Sequence, residues 1–318
     1  MIKNLLIALG LVFAVLLPPA SGTELKPTTA RAFERYVELT EARIHGEVSD
    51  PGRFLQFDSL PDAQKAELLS RLRRGEVMIQ SMSTKENGAP IEIPGGLVHH
   101  WLAIGFIPGA SAYQALKLAQ DYERFAQLYK PEVQDARVLN REGQHFRIYY
   151  RFSRHAIISI SYNVQFDVEY FTPDNLRNYS VARALRIAEV ENAGKVNEKE
   201  YPVGNDHGYM WRLNMYTRCA ERDGGVYLQI EFLALSRTVP AVFAWLVNPY
   251  IHSVPQDYLK RNLETTRVAL APSGRGPLSR ERDSIASIEG PGCMTCKLLK
   301  EEKRADLLFE EEGHTDGY

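Results

Sequence analysis

The chain has 318 residues, of which 44% are hydrophobic and 25% are charged, a composition typical of soluble globular proteins. Its formal net charge of -2 excludes the strongly basic surface that nucleic-acid-binding proteins use, so we expect no nucleic-acid partner. The length suits one large domain with extensions, or two small domains.

The N-terminal residues have the pattern of a secretory signal peptide. Lys3 precedes the apolar run Leu5–Leu17, and small residues follow at the positions that a signal peptidase reads. The run is shorter than the roughly 20 residues that a membrane span needs, and the alternative is an uncleaved N-terminal anchor. We therefore predict a signal peptide over residues 1–22, cleavage before Thr23, and an exported protein, periplasmic or extracellular. After cleavage, no transmembrane segment is expected.

Residues 23–90 are predicted to form a helical N-terminal arm. The spacing of the apolar residues indicates an amphipathic helix over 27–48, which ends before Pro51. A second helix is expected between Ser59, as its cap, and Gly75. This region has few apolar residues for a core of its own, so we interpret it as an arm packed on the main domain.

From Gly96 the sequence alternates between strand and helix signals. Leu97–Ile107 is apolar and β-prone, and a helix from Ser111 to about Phe125 follows, with a short helical piece over 126–129. Tight-turn signals then separate segments in which apolar and polar residues alternate, as in an antiparallel sheet with one buried face. The six predicted strands are 133–141, 144–153, 157–171, 178–191, 209–221 and 224–237.

The segment 239–270 carries the last strong helical pattern. Apolar residues at three- and four-residue spacing form a stripe, which needs a partner surface that the preceding strands supply. Pro249 and Pro255 lie inside this segment and are expected to split the helix into pieces near 240–248 and 256–270.

Residues 271–318 have the composition of a flexible, solvated tail. The tail contains Cys293 and Cys296, whose C-x-x-C spacing occurs in metal sites, thiol oxidoreductases and disulfides. A zinc site would require a second ligand pair, and a redox motif would open a helix beside a sheet. We therefore predict a Cys293–Cys296 disulfide and a tail that is available to a protein partner. The third cysteine, Cys219, is interpreted as a small buried residue of a strand.

The segment between the first two strands has a distinctive order of features. In FIPGASAYQALKLAQDYERFAQLYKPEV a strand runs straight into a helix, and an acidic-aromatic pair and a proline precede the next strand. Ser236-Arg237 and Pro240 then precede the last helix. In this order of elements the chain resembles the START-like superfamily, also called the SRPBCC or helix-grip fold, which includes polyketide cyclase and lipid-transport-like proteins. The resemblance implies an α+β domain over residues 91–270: a strand, two short helices, a six-stranded antiparallel continuation, and a long C-terminal helix packed in the curved sheet.

The resemblance also implies an apolar cavity between the sheet and the C-terminal helix. Its expected ligand is a hydrophobic small molecule, such as a lipid or a polyketide-like compound. We expect Trp211 and Met215 on a strand and Phe243, Trp245 and Leu246 on the helix to bind it. The alternative is that these side chains fill a solid core.

Arg183 is a further candidate ligand-binding residue, because it shares one side of a predicted strand with apolar residues and with Glu189. A buried guanidinium needs a partner, so Arg183 is expected to pair with Glu189 or with a ligand carboxylate or phosphate. A register shifted by one residue would send it to solvent instead. On neighbouring strands, Arg218, Gln229 and Glu231 belong to a polar row, which we interpret as cross-strand pairs on a solvated face.

Catalytic signals are sparse. Asp206 and His207, in a loop at the expected cavity mouth, are the acid–base candidates, although such loops are usually solvated turns. His99 and His100 are consecutive in a strand, so they point to opposite faces and cannot bind one metal ion together. No catalytic, phosphate-binding or dinucleotide motif occurs, and we expect no cofactor and no metal.

The favoured hypothesis is an exported, non-enzymatic binding protein for an apolar or amphipathic small molecule. One alternative is a cyclase- or hydrolase-like enzyme of the same superfamily that uses the 201–209 loop. The other is a structural or interaction protein with a filled core, which would act through its N-terminal arm or its tail.

Overall fold

The computed structural model describes residues 23–155, 159–238 and 241–271, with the backbone alone for His155 and residues 241–254. The predicted signal peptide and the tail with Cys293 and Cys296 lie outside the described residues. Cys219 is a buried free thiol, and burial raises its pKa to about 12.

Two helices, α1 over Pro27–Val48 and α2 over Asp62–Arg73, make up half of the N-terminal arm and are joined by two short 3-10 turns. Proline occupies the first turn of α1. The N–H groups of a first turn have no partner within the helix, so the N–H that proline lacks removes no helical hydrogen bond. One face of α1 is buried, at the three- and four-residue spacing that its sequence shows. The buried residues of α1 are Thr29, Phe33, Tyr36, Thr40, Ile44 and Val48.

Nine strands of the described residues pair into one antiparallel sheet. Eight of them are β1 (Met78–Ser81), β2 (Gly96–Pro108), β3 (Val133–Glu142), β4 (His145–His155), β5 (Ser159–Asp174), β6 (Arg177–Glu191), β7 (Arg212–Arg222) and β8 (Gly225–Arg237). The ninth, Lys199–Glu200, pairs with β6. Across the sheet the order is β1-β2-β8-β7-β6-β5-β4-β3, so the last long strand returns to lie beside the first long one.

Tight turns fix the register of the hairpins. Asp223 and Gly224 join β7 to β8 with φ of 57° and 76°, the left-handed conformation that a two-residue type I′ turn requires at both positions. Gly143, between β3 and β4, has φ of 62°. Asp and Gly are among the residues that adopt this conformation most readily, which explains the turn signals in the sequence.

Three helices accompany the sheet on one side: α3 (Ala112–Ala119), the single turn α4 (Phe125–Leu128) and α5 (Ala241–Leu270). Ser111 caps α3: its hydroxyl accepts a hydrogen bond from the Gln114 N–H, and its own N–H donates to the Gln114 side chain. The predicted split of the last helix is wrong, because α5 continues through both of its prolines. Each proline removes only one hydrogen bond from a helix of 30 residues. None of the helices in the described part of the chain combines the length and the apolar character that crossing a membrane requires.

The sheet is covered on both sides by other parts of the chain. On one side, which we call the arm face, Leu102 of β2 belongs to the same buried cluster as Phe33 of α1. On the other, the helix face, Ala103 of β2 is clustered with Leu259 of α5. Successive side chains of a strand point to opposite sides, so consecutive residues serve two different layers. The predicted α+β class, with a large antiparallel sheet and a C-terminal helix, is confirmed.

Candidate ligand-binding site

A cavity of about 140 Å³ lies between the helix face of the sheet and the helices α3, α4 and α5. None of the described residues that line it is charged. Eight of them are aromatic, so the wall is largely apolar, and eight of the lining side chains carry a hydroxyl group. The aromatic residues are Tyr122, Phe125, Tyr129, Tyr150, Phe152, Phe166, Tyr170 and Tyr258.

Two neighbouring strands, β4 and β5, supply much of the aromatic wall. Side chains alternate along a strand, so Tyr150 and Phe152 of β4 share the helix face with Phe166 and Tyr170 of β5. The next strand, β6, contributes small side chains such as Ala182, which leave open space in front of the rings. Sequence reasoning missed these tyrosines as site residues; the signal that could have found them is a hydroxyl-bearing ring on the apolar side of an alternating strand.

Three tyrosine hydroxyl groups of the wall, those of Tyr122, Tyr129 and Tyr170, are hydrogen-bonded to other protein groups. The Tyr122 and Tyr170 oxygens lie 2.5 Å apart, and the Tyr170 hydroxyl donates to the Ala119 carbonyl at 2.6 Å. The Tyr129 oxygen lies 3.0 Å from Oγ1 of Thr266 on α5. Burial raises the pKa of all three tyrosines, so they remain uncharged. The wall therefore offers a ligand apolar contact and neutral hydrogen bonds.

The predicted ligand-binding residues are not all in the cavity. Met215 of β7 lines it. Trp211 does not line the cavity, because it is buried in the cluster that contains the arm residues. It precedes β7 by one residue, so the in-and-out alternation of the strand's side chains does not apply to it. Phe243, Trp245 and Leu246 lie in the helical backbone of α5, and their side chains are outside the described ones.

Arg183 also lies away from the cavity, on the arm face of β6. Its Nε and Nη2 atoms each donate a hydrogen bond of 2.8 Å to the carboxylate of Glu41 on α1. The register between β5 and β6 shifts at Leu185, which is left as an extra, unpaired residue, and this bulge places Glu189 on the opposite face. The predicted pair of Arg183 and Glu189 is therefore wrong, because the bulge places the two side chains on opposite faces of the sheet and Arg183 pairs with Glu41 instead.

His207 pairs with Glu189, not with its neighbour Asp206. Its Nδ1 lies 2.5 Å from Oε1 of Glu189, and its backbone N–H donates to Oε2 at 3.2 Å. Asp206 is buried and accepts a hydrogen bond of 2.7 Å from the Gly208 N–H. Burial raises the pKa of both carboxyls, in Glu189 against the opposing effect of the His207 hydrogen bond. Within the described residues, no three His, Cys, Asp or Glu side chains are placed to hold a metal ion.

The polar row of β7 and β8 is buried under the arm, so its prediction as a solvated face is wrong. Arg218 and Glu231 are 1% and 0% exposed. Nη2 of Arg218 lies 2.6 Å from Glu47 of α1, and Glu231 accepts hydrogen bonds from His100, at 2.7 Å, and from Arg43 of α1. We call these five residues the arm-face ion network. The sequence pattern of a strand cannot reveal it, because a helix from a distant part of the chain covers this face.

The arm-face ion network makes the stability of the fold dependent on pH. Burial alone would raise the pKa of the Glu231 carboxyl, but the hydrogen bond from His100 and the charges of Arg43 and Arg218 lower it below its ordinary value. The stabilisation from a lowered carboxyl pKa is present above the unfolded pKa, about 4.3, and is lost as the pH falls through the folded one. We expect the free energy of unfolding, measured in urea between pH 6 and pH 3, to fall less steeply below pH 4.3 for Glu231→Gln than for the unaltered protein. Parallel pH profiles would contradict this assignment.

Comparisons with known proteins give likenesses of structure only. No protein-family model matches the chain, and neither does any curated protein. Among solved structures, the Zhui aromatase/cyclase from Streptomyces sp. R1128 matches at 11% identity, covering 54% of this chain and 92% of that one, with a TM-score of 0.38. A STAR-related lipid transfer protein from Xanthomonas axonopodis matches at 15% identity, covering 60% and 98%, with a TM-score of 0.36. A START superfamily protein from Mycobacterium smegmatis matches at 11% identity, covering 55% and 96%, with a TM-score of 0.35.

These TM-scores are below 0.5, so the fold assignment rests on the chain's own topology. A first long strand leads through short helices into an antiparallel sheet, the last strand returns beside the first, and a long helix packs on the sheet. This is the order of elements that the sequence resemblance implies. The chain therefore has the α+β architecture of a helix-grip fold, a large antiparallel sheet with a long C-terminal helix.

Proposed function

We propose that this chain is a binding protein for a small, uncharged molecule that is apolar or amphipathic and carries an aromatic or other flat ring. The observation that supports this most directly is the cavity of about 140 Å³ with aromatic walls and no charged residue among the described ones. A filled core, the structural alternative, would leave no such space, since protein interiors are packed to the density of organic crystals.

The size and the lining of the cavity narrow the ligand class. An apolar cavity of roughly 150 Å³ is large enough to bind benzene, so the described space suits one ring with short substituents. Aromatic walls favour stacked or edge-on contact with another ring. A carboxylate or phosphate inside this space would meet no opposite charge among the described lining residues, and an unpaired buried charge is costly.

Export belongs to the same proposal and rests on the sequence alone. A charged residue, an apolar run and small residues precede Thr23, and a binding protein outside the cytoplasm would meet small apolar molecules before they enter the cell.

Native mass spectrometry of the protein purified from its own host tests both parts. We expect a chain that begins at Thr23 and carries one small organic molecule, and saturable one-to-one binding of propylbenzene by calorimetry after that molecule is removed. A chain that retains residues 1–22 contradicts cleavage before Thr23. A protein that is isolated empty and gives no saturable heat with propylbenzene contradicts ligand binding.

A further inference from the structure

At one end of the sheet, a buried carboxylate and an imidazole lie beside the cavity without forming part of its described lining. Glu189, near the end of β6, is 6% exposed, and it holds His207 through both carboxylate oxygens. Glu189 lies on the helix face, where its register partner on β5 is Tyr162. Tyr162 is in turn the partner of Phe152 on β4, and Phe152 lines the cavity. Two strand spacings, roughly 10 Å, therefore separate the backbone at Glu189 from that at the cavity wall.

The imidazole of His207 is fixed in orientation. Its Nδ1 faces the Glu189 carboxylate at 2.5 Å, so Nδ1 carries the proton of the neutral ring. The ring lies edge-on to Tyr201, at 5.1 Å between centroids, and stacks on Tyr209 at 5.6 Å with an interplanar angle of 15°. In this tautomer Nε2 holds a lone pair and accepts hydrogen bonds. The side chain of His207 is 30% exposed, so a ligand can reach the imidazole that carries Nε2.

The hydroxyl of Tyr162 is the second polar group at this place. Tyr162 is 7% exposed, and its hydroxyl oxygen has no hydrogen-bond partner among the described residues. Burying a hydroxyl without a partner costs stability, and most buried hydroxyls in proteins are bonded. Three tyrosines of the cavity wall follow that rule: Tyr122 and Tyr170 bond to each other, and Tyr129 bonds to Thr266. Among the described residues, Tyr162 is thus a buried donor without an acceptor, and its backbone lies between Phe152 of the cavity wall and Glu189.

We propose that Tyr162, Glu189 and His207 form a polar subsite that binds the hydroxyl group of an otherwise apolar ligand seated in the cavity. The ligand hydroxyl donates to Nε2 of His207 and accepts from the Tyr162 hydroxyl. Glu189 acts as a positioning residue, because it fixes the tautomer and the orientation of the imidazole. This inference rests on the proposed function and adds the chemistry of the ligand: a neutral ring compound with a hydroxyl at the end that leaves the cavity.

The test compares propylbenzene with 4-propylphenol, which differ by one hydroxyl. We expect the unaltered protein to bind 4-propylphenol about three- to tenfold more tightly by calorimetry, the preference that one or two net hydrogen bonds give. In Tyr162→Phe and in His207→Gln, the ratio of the two affinities should fall to near one, while the affinity for propylbenzene stays unchanged. Tyr162→Phe should also unfold at an equal or higher urea concentration, because it removes a hydroxyl that has no partner in the described part of the chain.

Matched controls come from the arm face of the same sheet. Tyr149→Phe removes a hydroxyl that donates to Asn163 at 2.7 Å, and His145→Gln removes an imidazole paired with Asp167 at 2.8 Å. Both should keep the preference for the phenol. If propylbenzene binds and the unaltered protein shows no preference, the subsite is wrong and the proposed function stands. If the preference is lost only in Tyr150→Phe, the ligand hydroxyl is bound inside the cavity and the subsite is again wrong. If neither compound binds to the unaltered protein, the proposed function itself is wrong.

Discussion

Replacing Glu231 with alanine is expected to lower the free energy of unfolding by about 3–5 kcal/mol, the cost typical of removing one partner of a buried ion pair. Glu231 is fully buried and is held by His100, by Arg43 and, at 3.9 Å, by Arg218. Without its carboxylate, the positive charges of Arg43 and Arg218 face Glu47 alone. Urea unfolding at pH 7, followed by tryptophan fluorescence, measures the change.

Glu38→Ala is the matched control for this substitution. Glu38 lies on α1 and pairs with Arg35, but both side chains are exposed, at 64% and 47%. Surface pairs of this kind contribute from nothing to about 1 kcal/mol, so the control should unfold almost as the unaltered protein does. Equal effects of the two substitutions would show that the arm-face ion network does not hold the arm to the sheet.

Ala182→Trp is expected to lower the affinity for propylbenzene at least tenfold, because the indole would occupy the space in front of the aromatic wall. Ala182 lines the cavity from β6, opposite Val168 of β5 and Met215 of β7. Forcing a larger side chain into a packed interior costs about 1–3 kcal/mol, and here the cavity takes up part of the added volume. Calorimetry gives the affinity, and near-ultraviolet circular dichroism shows whether the variant is folded.

Leu185→Trp provides the control on the same strand. Leu185 is the extra residue at the bulge of β6 and is 54% exposed, so tryptophan at this position adds the same ring outside the cavity. Its affinity for propylbenzene should equal that of the unaltered protein. Retained binding in a folded Ala182→Trp variant would mean that the ligand lies elsewhere, and the proposed site would then be wrong.

The parts of the fold that depend on local pattern could be predicted from the sequence. The helix over 27–48 and the six strands after Val133 lie where periodicity, prolines and Asp-Gly or Gly turns indicate them, with ends that differ by a few residues. Met215 lines the cavity because the alternation of β7 is regular at that point, and its contact with a ligand stays a prediction. These elements are set by the spacing of side chains along one segment, which a sequence displays directly.

The errors concern features that depend on partners distant in the chain. The faces of Arg183 and Glu189 were misjudged because the bulge at Leu185 appears only when β5 pairs with β6. Arg218 and Glu231 are buried because α1 covers the arm face, and the sequence pattern of a strand does not indicate which element will cover it. The partner of His207 was missed for the same reason, since Glu189 is 18 positions away in sequence.

The bulge in β6 also has a consequence for aligning this chain with other proteins. A strand with one residue more than its neighbours changes which positions correspond, so an alignment to a protein whose strand is regular needs a one-residue gap at Leu185. Without that gap, positions from Arg186 onward would be matched to residues that point the other way, and the Glu189 position would appear variable even where its chemistry is retained. Searches for the subsite in other genomes should therefore be anchored on three-dimensional superposition of β5 and β6, not on identity along the strand.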